Sequence, residues 1–428
     1  MIPAEYPRLD EQVFRQTLSN GLTVTVIPRK GFSKKLAYFV TDFGAMHTEF
    51  TFQGKEHRVP AGVAHYLEHK LFDMPGGRDI TAEFAALGAA TNAFTSYDLT
   101  AYYFSCTEHF EECLELLLEF VSTPYFTDET VQKEQGIIGQ EIDMNADTPD
   151  TRIFEQLMEL MYKNHPVREP ILGTRESIAQ ITPQVLESCH NAFYRPDNML
   201  LCVVGDVSPE IVCRIAAQLK AGNTSPEPSV RSWPEDLTCE EHFVSDTMEV
   251  SMPTFQIGFK SEPLGYGEEA AYREIVADLA AEALFGESSP LYMQLYEQGL
   301  IDSSFGGGFE TIEGMALLSI SGDSEDPDAV MNAILERAKT LVKEGIPQAD
   351  FLRMKRSALG RRIRALDGFD ATAFRVCAYY FSGFDYFRFP ELYRKAEVSD
   401  ILEFIQRTVT ADRAGLSVIY PLEQEEIL

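Results

Sequence analysis

At 428 residues the chain is too long for one compact core and implies at least two domains. Hydrophobic residues make up 45% and charged residues 24%, the profile of a soluble globular protein rather than a disordered or fibrous one. Against 36 Lys+Arg stand 67 Asp+Glu, a formal net charge of -31 that repels phosphate backbones and anionic lipid and argues against nucleic-acid and membrane-surface roles; cationic ligands, metal ions or basic peptides, are drawn in instead.

In chain order, apolar runs predict strands at Leu22 to Ile27, Tyr38 to Phe43 and Thr100 to Ser105. Apolar periodicity predicts helices at Phe110 to Val121 and, after a Pro-containing turn, Thr127 to Met144. A buried strand follows at Leu200 to Gly205. The Pro/Ser/Gly-rich stretch Ala221 to Ser229, with Pro234 close behind, is the clearest seam. Beyond it the order recurs: strands at Phe255 to Phe259 and Met315 to Ser321, then a helix at Asp328 to Lys343 ended by Gly345. A second helix runs from Pro347 to about Leu366, and a closing strand spans Leu416 to Tyr420. The pattern predicts an α+β protein of two α+β domains with one topology, a duplication: residues 1–222, a linker at 223–236, and residues 237–428.

No run of 18 or more apolar residues is present, and Met1 to Pro7 lacks the basic and apolar stretches of a signal peptide. The seven cysteines (106, 113, 189, 202, 213, 239, 377) contain no CxxC pair and read as reduced core residues. The expected location is cytoplasmic.

His65-Tyr66-Leu67-Glu68-His69 carries the chemistry. Pro60 suits a first helical turn, and Val63, Ala64, Leu67, Leu71 and Phe72 follow Gly62 with helical spacing. On a helix, His65 and His69 share a face, so both rings can reach one ion, and Glu68 lies beside them. Two imidazoles suit zinc, and a neighbouring carboxylate suits a proton acceptor for the attacking water. The pattern is the inverted form of HExxH. Only 8 histidines occur in the chain, so an exposed helix face would rarely produce it. A catalytic zinc takes three protein ligands, and Glu134 and Glu141, two turns apart on the helix from Thr127, share a face. Either can complete a His₂Glu set, with the other hydrogen-bonding a ligand histidine. Gly136 and Gly139 weaken that helix, which makes sense where it presses against a neighbour such as the HxxEH helix.

At this point the sequence resembles the pitrilysin, insulysin and mitochondrial processing peptidase family of inverted-motif zinc metallopeptidases. The likeness covers most of residues 20–210, from Gly62 to His69, through Leu87-Gly88-Ala89 and Thr91 to Ser96, to Glu134, Glu141 and His165-Pro166. It continues in Gly173 to Ile178, Tyr194 to Met199 and Val203 to Asp206. The resemblance implies a zinc metalloendopeptidase in which His65, His69 and Glu141 bind a single Zn²⁺, Glu68 is the general base and Glu134 supports a ligand histidine. It further implies that Asn92, Ala93 and Phe94 form an edge strand to which a peptide substrate adds. Family members enclose their substrates in a chamber between the halves, so short or unfolded peptides are the expected substrates.

His242 is the only histidine after the seam, so a second HxxEH site is impossible there. Lys355 and Arg362, seven apart, stand roughly where the glutamate pair would recur. Single-chain members resembling this sequence supply an Arg and a Tyr from the second half; the matching stretch Leu295 to Asp302 has Tyr296 and Asp302 in their places. The resemblance then points to the bacterial two-subunit arrangement, this chain being the zinc-bearing subunit and a homologous partner supplying the Arg/Tyr pair, with a homodimer as the other possibility. A non-catalytic assembly subunit is the alternative, against which the intact ligand set and Glu68 argue. A zinc scaffold is a further one, but structural zinc is closed by four protein ligands.

Overall fold

The structure is a computed structural model that describes residues 3–220 and 228–422. Most of the seam, residues 221–227, lies outside the described residues. The chain divides into two compact units: Met1–Ile142, Pro170–Arg231 and Ile363–Arg388 make the first, and Asp143–Glu169, Ser232–Arg362 and Phe389–Leu428 the second.

In the first unit the strands are β1 (Pro3–Tyr6), β2 (Glu11–Thr17), β3 (Thr23–Pro28), β4 (Lys35–Thr41), β5 (Glu49–Phe52), β6 (Lys55–Arg58), β7 (Ala90–Thr95), β8 (Thr100–Cys106), β9 (Met199–Gly205) and β10 (Ser229–Val230). Seven of them form one sheet in the order β1-β2-β3-β9-β4-β8-β7, and β10-β5-β6 form a small second sheet. All seven residues of β9 are buried, as the unbroken apolar run Met199 to Gly205 requires of a central strand. Ser229 and Val230, within the expected linker, pair with Thr51 and Phe50 and so belong to this unit.

Among the described residues the second unit has five strands, β11 (Phe243–Met248), β12 (Thr254–Lys260), β13 (Gly306–Ile312), β14 (Met315–Asp323) and β15 (Ala414–Pro421), ordered β11-β15-β12-β14-β13. This order repeats β3-β9-β4-β8-β7 strand for strand. In both sheets the first pair is parallel and every other pair antiparallel. The α+β duplication expected from the element order is therefore present as one topology used twice.

The contact-defined units nevertheless differ from a single cut of the chain. Helix Phe369–Phe381, from the second half of the sequence, packs on β9 and β4 of the first unit. Helix Pro149–Met161, from the first half, packs on β15, β12 and β11 of the second. The two occupy the same place in the repeat, each following the helix that carries, or corresponds to, the Glu134/Glu141 pair. The halves have exchanged one helix each.

Around the first sheet, the apolar faces of helices Val63–Lys70, Phe110–Val121 and Pro183–Phe193 share one core with Leu201, Val203, Tyr102 and Phe104. Each large apolar side chain so buried contributes roughly 1.5–3 kcal/mol. His190 is part of this core: its Nε2 bonds to the Val121 carbonyl oxygen at 3.1 Å and its ring stacks on Tyr194. Burial holds its pKa down at about 4, opposed by the Val121 bond. The unfolded chain therefore takes up a proton between the ordinary value near 6.5 and about 4 that the folded chain refuses. Stability is expected to fall on acidification through that window, by at most about 3 kcal/mol for this residue. Urea unfolding from pH 7 to pH 4 checks it: the decline should be shallower in His190→Gln, and equal slopes would rule the mechanism out.

None of the seven cysteines forms a disulfide. Among the described residues no helix is long and apolar enough to cross a membrane.

Candidate metal centre

The motif helix, Val63–Lys70, has 8 residues and must be held by its surroundings rather than by intrinsic propensity. Gly62 caps it with φ 88°. A Cβ at Gly62 would stand 2.4 Å from the Leu172 carbonyl oxygen, and one at Gly173 (φ 72°) 2.5 Å from that of Ala61. Two left-handed glycines thus let the loop at 170–174 lie directly against the helix start. Ser177 Oγ donates to the Ala61 carbonyl at 2.9 Å and completes a capping box with Thr174. Pro60, expected in the first helical turn, instead precedes it, its carbonyl accepting from the Val63 N–H.

His65 and His69 share a face, their ring centroids 4.6 Å apart. The helix Asp128–Ala146 runs past them, tied on by the Tyr66 hydroxyl, which donates to the Val131 carbonyl. Nε2 of His65 lies 3.7 Å from Oε1 of Glu141, and Nε2 of His69 lies 3.5 Å from its Oε2. Zinc bonds of 2.0–2.2 Å in a tetrahedron give ligand–ligand edges of about 3.3–3.6 Å; one separation falls in that range and the other just above it, close to what such a shell needs. Among the described residues, these three form the only group of His, Cys, Asp and Glu whose ligand atoms converge in this way, all within 4.8 Å. Glu134 behaves differently: its Oε1 accepts from Nδ1 of His69 at 3.0 Å. That bond leaves Nε2 of His69 as the nitrogen with a lone pair facing Glu141.

Burial, reinforced by the neighbouring His69, drives the His65 pKa down to about 3, so its ring is neutral; its buried Nδ1 has no partner among the described residues. For His69 burial acts downward, but the Glu134 bond and the charges of Glu68, Glu134 and Glu141 outweigh it and raise the value. Glu68 is 8% exposed, and burial raises its pKa against the opposing Thr95 bond and His69 charge. Thr95 Oγ1 donates to its Oε2 at 2.6 Å. A carboxylate whose affinity for protons is raised by burial, beside two imidazoles, is suited to taking up and releasing a proton.

The helix glycines do not do what the sequence suggested. A Cβ at Gly136 would meet nothing within 4 Å, and one at Gly139 would meet the Arg175 guanidinium at 2.7 Å, so neither glycine serves contact with the motif helix. Asn92, Ala93 and Phe94 lie on β7, which among the described residues has β8 as its one neighbour and ends the sheet. The Asn92 side chain accepts from its own neighbour's N–H at Ala93.

In the second unit the corresponding helices are Gly267–Phe285 and Gln348–Arg364. Matching Leu284-Phe285 to Leu71-Phe72 sets Glu282 at the place of His69, and matching buried Phe351 and Ala358 to Val131 and Ile138 sets Arg361 at that of Glu141. Arg361 Nη2 and Glu282 Oε2 are paired at 2.7 Å. At that place the second half therefore has a guanidinium facing a carboxylate where the first has a carboxylate facing an imidazole. Lys355 and Arg362, assigned to that place from the sequence, are one position off: Lys355 donates to the carbonyls of Arg394 and Ala396, and Arg362 lies by Glu274. Tyr296 is exposed and stacks on Tyr292, while Asp302 accepts from the backbone and hydroxyl of Ser304.

Thr95 and the Gly62/Gly173 pair entered the sequence reading only within the family-like segments, with no role of their own. The signal for Thr95 is strand alternation, which sets it on the same face of β7 as Ala93. Nothing local marks the glycine contact, which joins positions 111 apart in the sequence.

Residues 55–175 match the insulinase (peptidase family M16) profile and residues 180–358 the peptidase M16 inactive domain profile. The uncharacterized zinc protease YmfH of Bacillus subtilis is 38% identical over 431 residues, covering 98% of this chain and 99% of that protein. The mitochondrial-processing peptidase subunit beta of Caenorhabditis elegans is 28% identical over 219 residues, 49% of this chain and 46% of that protein. The crystal structure of an M16-like peptidase from Alicyclobacillus acidocaldarius superposes with a TM-score of 0.92 at 30% identity, covering 98% of this chain and 100% of that chain. With that agreement along its whole length, the chain belongs to the insulinase family, peptidase family M16.

Proposed function

We propose that this chain is a zinc-dependent metalloendopeptidase that hydrolyses peptides or small unfolded proteins, with His65, His69 and Glu141 as zinc ligands and Glu68 as the general base. The observation that carries the reading is the convergence of those three ligand atoms beside a buried carboxylate on the same helix. Zinc, when bound, supplies a Lewis acid that polarises the scissile carbonyl and acidifies water. Glu134 holds the His69 ring in its tautomer and orientation through the Nδ1 bond. Glu68 accepts the proton of the attacking water and returns it to the leaving amine. The free edge of β7 at Asn92, Ala93 and Phe94 binds an extended substrate backbone by main-chain hydrogen bonds. The net charge of -31 favours cationic peptides, with an effect that fades as salt rises.

Tyr296 and Asp302, where the resemblance expects Arg and Tyr, support a chain that works beside a homologous partner. The relative named a subunit of the mitochondrial-processing peptidase accords with that. The second reading is a non-catalytic subunit, favoured by the match of residues 180–358 to an inactive-domain profile; the zinc-ligand constellation and Glu68 lie outside that segment. Peptide hydrolysis that a chelator abolishes and added zinc restores, in the protein isolated from its native source with any bound partner, tests the proposal. Hydrolysis indifferent to chelator, or none in that preparation, would overturn it.

A further inference from the structure

We propose that Thr95 is a positioning residue for Glu68: its hydroxyl fixes one carboxylate oxygen so that the other faces the metal centre. The inference rests on the reading of Glu68 as general base and adds to it the group that orients the base. The Thr95 bond, 2.6 Å to Oε2, is the one hydrogen bond that Glu68's side chain makes among the described residues. Oε1 is thus left without a protein partner, although the residue is 8% exposed. A carboxylate buried with one oxygen pinned and one open has its rotation set by that single donor.

Thr95 is itself held. It pairs with Thr100 across β7 and β8, and the Thr100 hydroxyl, which donates to the Phe43 carbonyl at 2.7 Å, lies 3.5 Å from Thr95 Oγ1. A β-branched residue in a strand has restricted χ1, so its hydroxyl points in a fixed direction. Thr95 and Ala93 lie on the face of β7 turned to the motif helix, while Phe94 packs on the opposite side against Tyr103 and Phe374. The edge strand that would receive the substrate backbone therefore also orients the base. Substrate register and base orientation are set by one strand.

Thr95→Val keeps the shape and removes the donor; Thr95→Ser keeps the donor and loosens it. In the zinc-loaded protein with any native partner, Thr95→Val should lower kcat by about 10–100-fold with KM changed less than about twofold, and Thr95→Ser should recover most of the loss. Zinc content should equal that of the unsubstituted chain. A crystal structure of zinc-loaded Thr95→Val should show the Glu68 carboxylate rotated away, a readout that needs no activity. A Thr95→Val protein with full kcat, or with Glu68 unmoved, overturns the proposal, as does loss of zinc, which would make Thr95 a support of the ligands instead. Retained hydrolysis in Glu68→Gln would sink the general-base reading alone, because the orientation of Glu68 in Thr95→Val is measured independently of it.

Discussion

Glu68→Gln is expected to abolish peptide hydrolysis while leaving the protein folded and its zinc bound. Glutamine has the shape of glutamate and its amide oxygen can still accept from Thr95 Oγ1, the existing 2.6 Å contact. It cannot take a proton at any working pH. General acid–base catalysis contributes about 10²–10⁴-fold, so kcat should fall by at least that much. The metal should stay, because the converging ligand atoms come from His65, His69 and Glu141 and not from Glu68. Removing a buried carboxylate whose pKa is raised by burial should also leave the fold unharmed or slightly more stable at neutral pH. Elemental analysis and peptide turnover on one preparation check both halves. Zinc-replete Glu68→Gln with near-normal turnover would remove the carboxylate from the mechanism.

The parts of the fold that were legible in the sequence are those buried on both faces. The runs that became β9, β12 and β15 are almost wholly buried, and their apolar residues announce them without knowledge of the neighbours. Phe110 to Val121 was readable for the equivalent reason, an apolar face at helical spacing. The edge strands β13 and β11 were not. β13 begins Gly306-Gly307-Gly308 and β11 alternates with its more exposed residues polar or at the surface, so pairing rather than composition makes them strands. The exchange of helices Pro149–Met161 and Phe369–Phe381 was invisible because periodicity tells that a helix has a buried face, not which sheet covers it.

At the candidate site, the HxxEH spacing alone predicted a shared histidine face, and the i, i+7 spacing predicted a shared glutamate face. Neither could assign the glutamates, which depends on how far the helix Asp128–Ala146 has slid past the motif helix; the Tyr66 bond to the Val131 carbonyl sets that slide. The same limit explains the second half. One residue of misregister rotates a helix position by 100°, enough to nominate Lys355 and Arg362 when Arg361 is the residue that meets Glu282. That pair also gives the duplication a physical sense. A carboxylate facing a guanidinium needs no ion, so the second half can keep the helix packing of the repeat with no converging His, Cys, Asp and Glu group among its described residues.

The proposed division of labour between the two glutamates yields the other large expected effect. If Glu141 is the third ligand, Glu141→Gln should lose most of the zinc, and hydrolysis with it, because two imidazoles remain and the carboxylate lying 3.7 and 3.5 Å from their Nε2 atoms is gone. Glu134→Gln should keep zinc at saturating metal but weaken its binding by about 10–100-fold, the usual consequence of removing the hydrogen-bond partner of a ligand histidine. In free energy that is about 1.4–2.7 kcal/mol, which should appear as a reduced gain in unfolding stability when zinc is added. Glu134→Gln should also lower the His69 pKa in the metal-free protein, since the Glu134 bond is the largest influence raising it. Competition of protons for the site should therefore begin at a lower pH than in the unsubstituted chain, while zinc affinity at neutral pH is nonetheless weaker. Zinc titrations of both variants at several pH values distinguish the roles: a Glu134→Gln chain that loses zinc as completely as Glu141→Gln would make Glu134 a ligand in its own right.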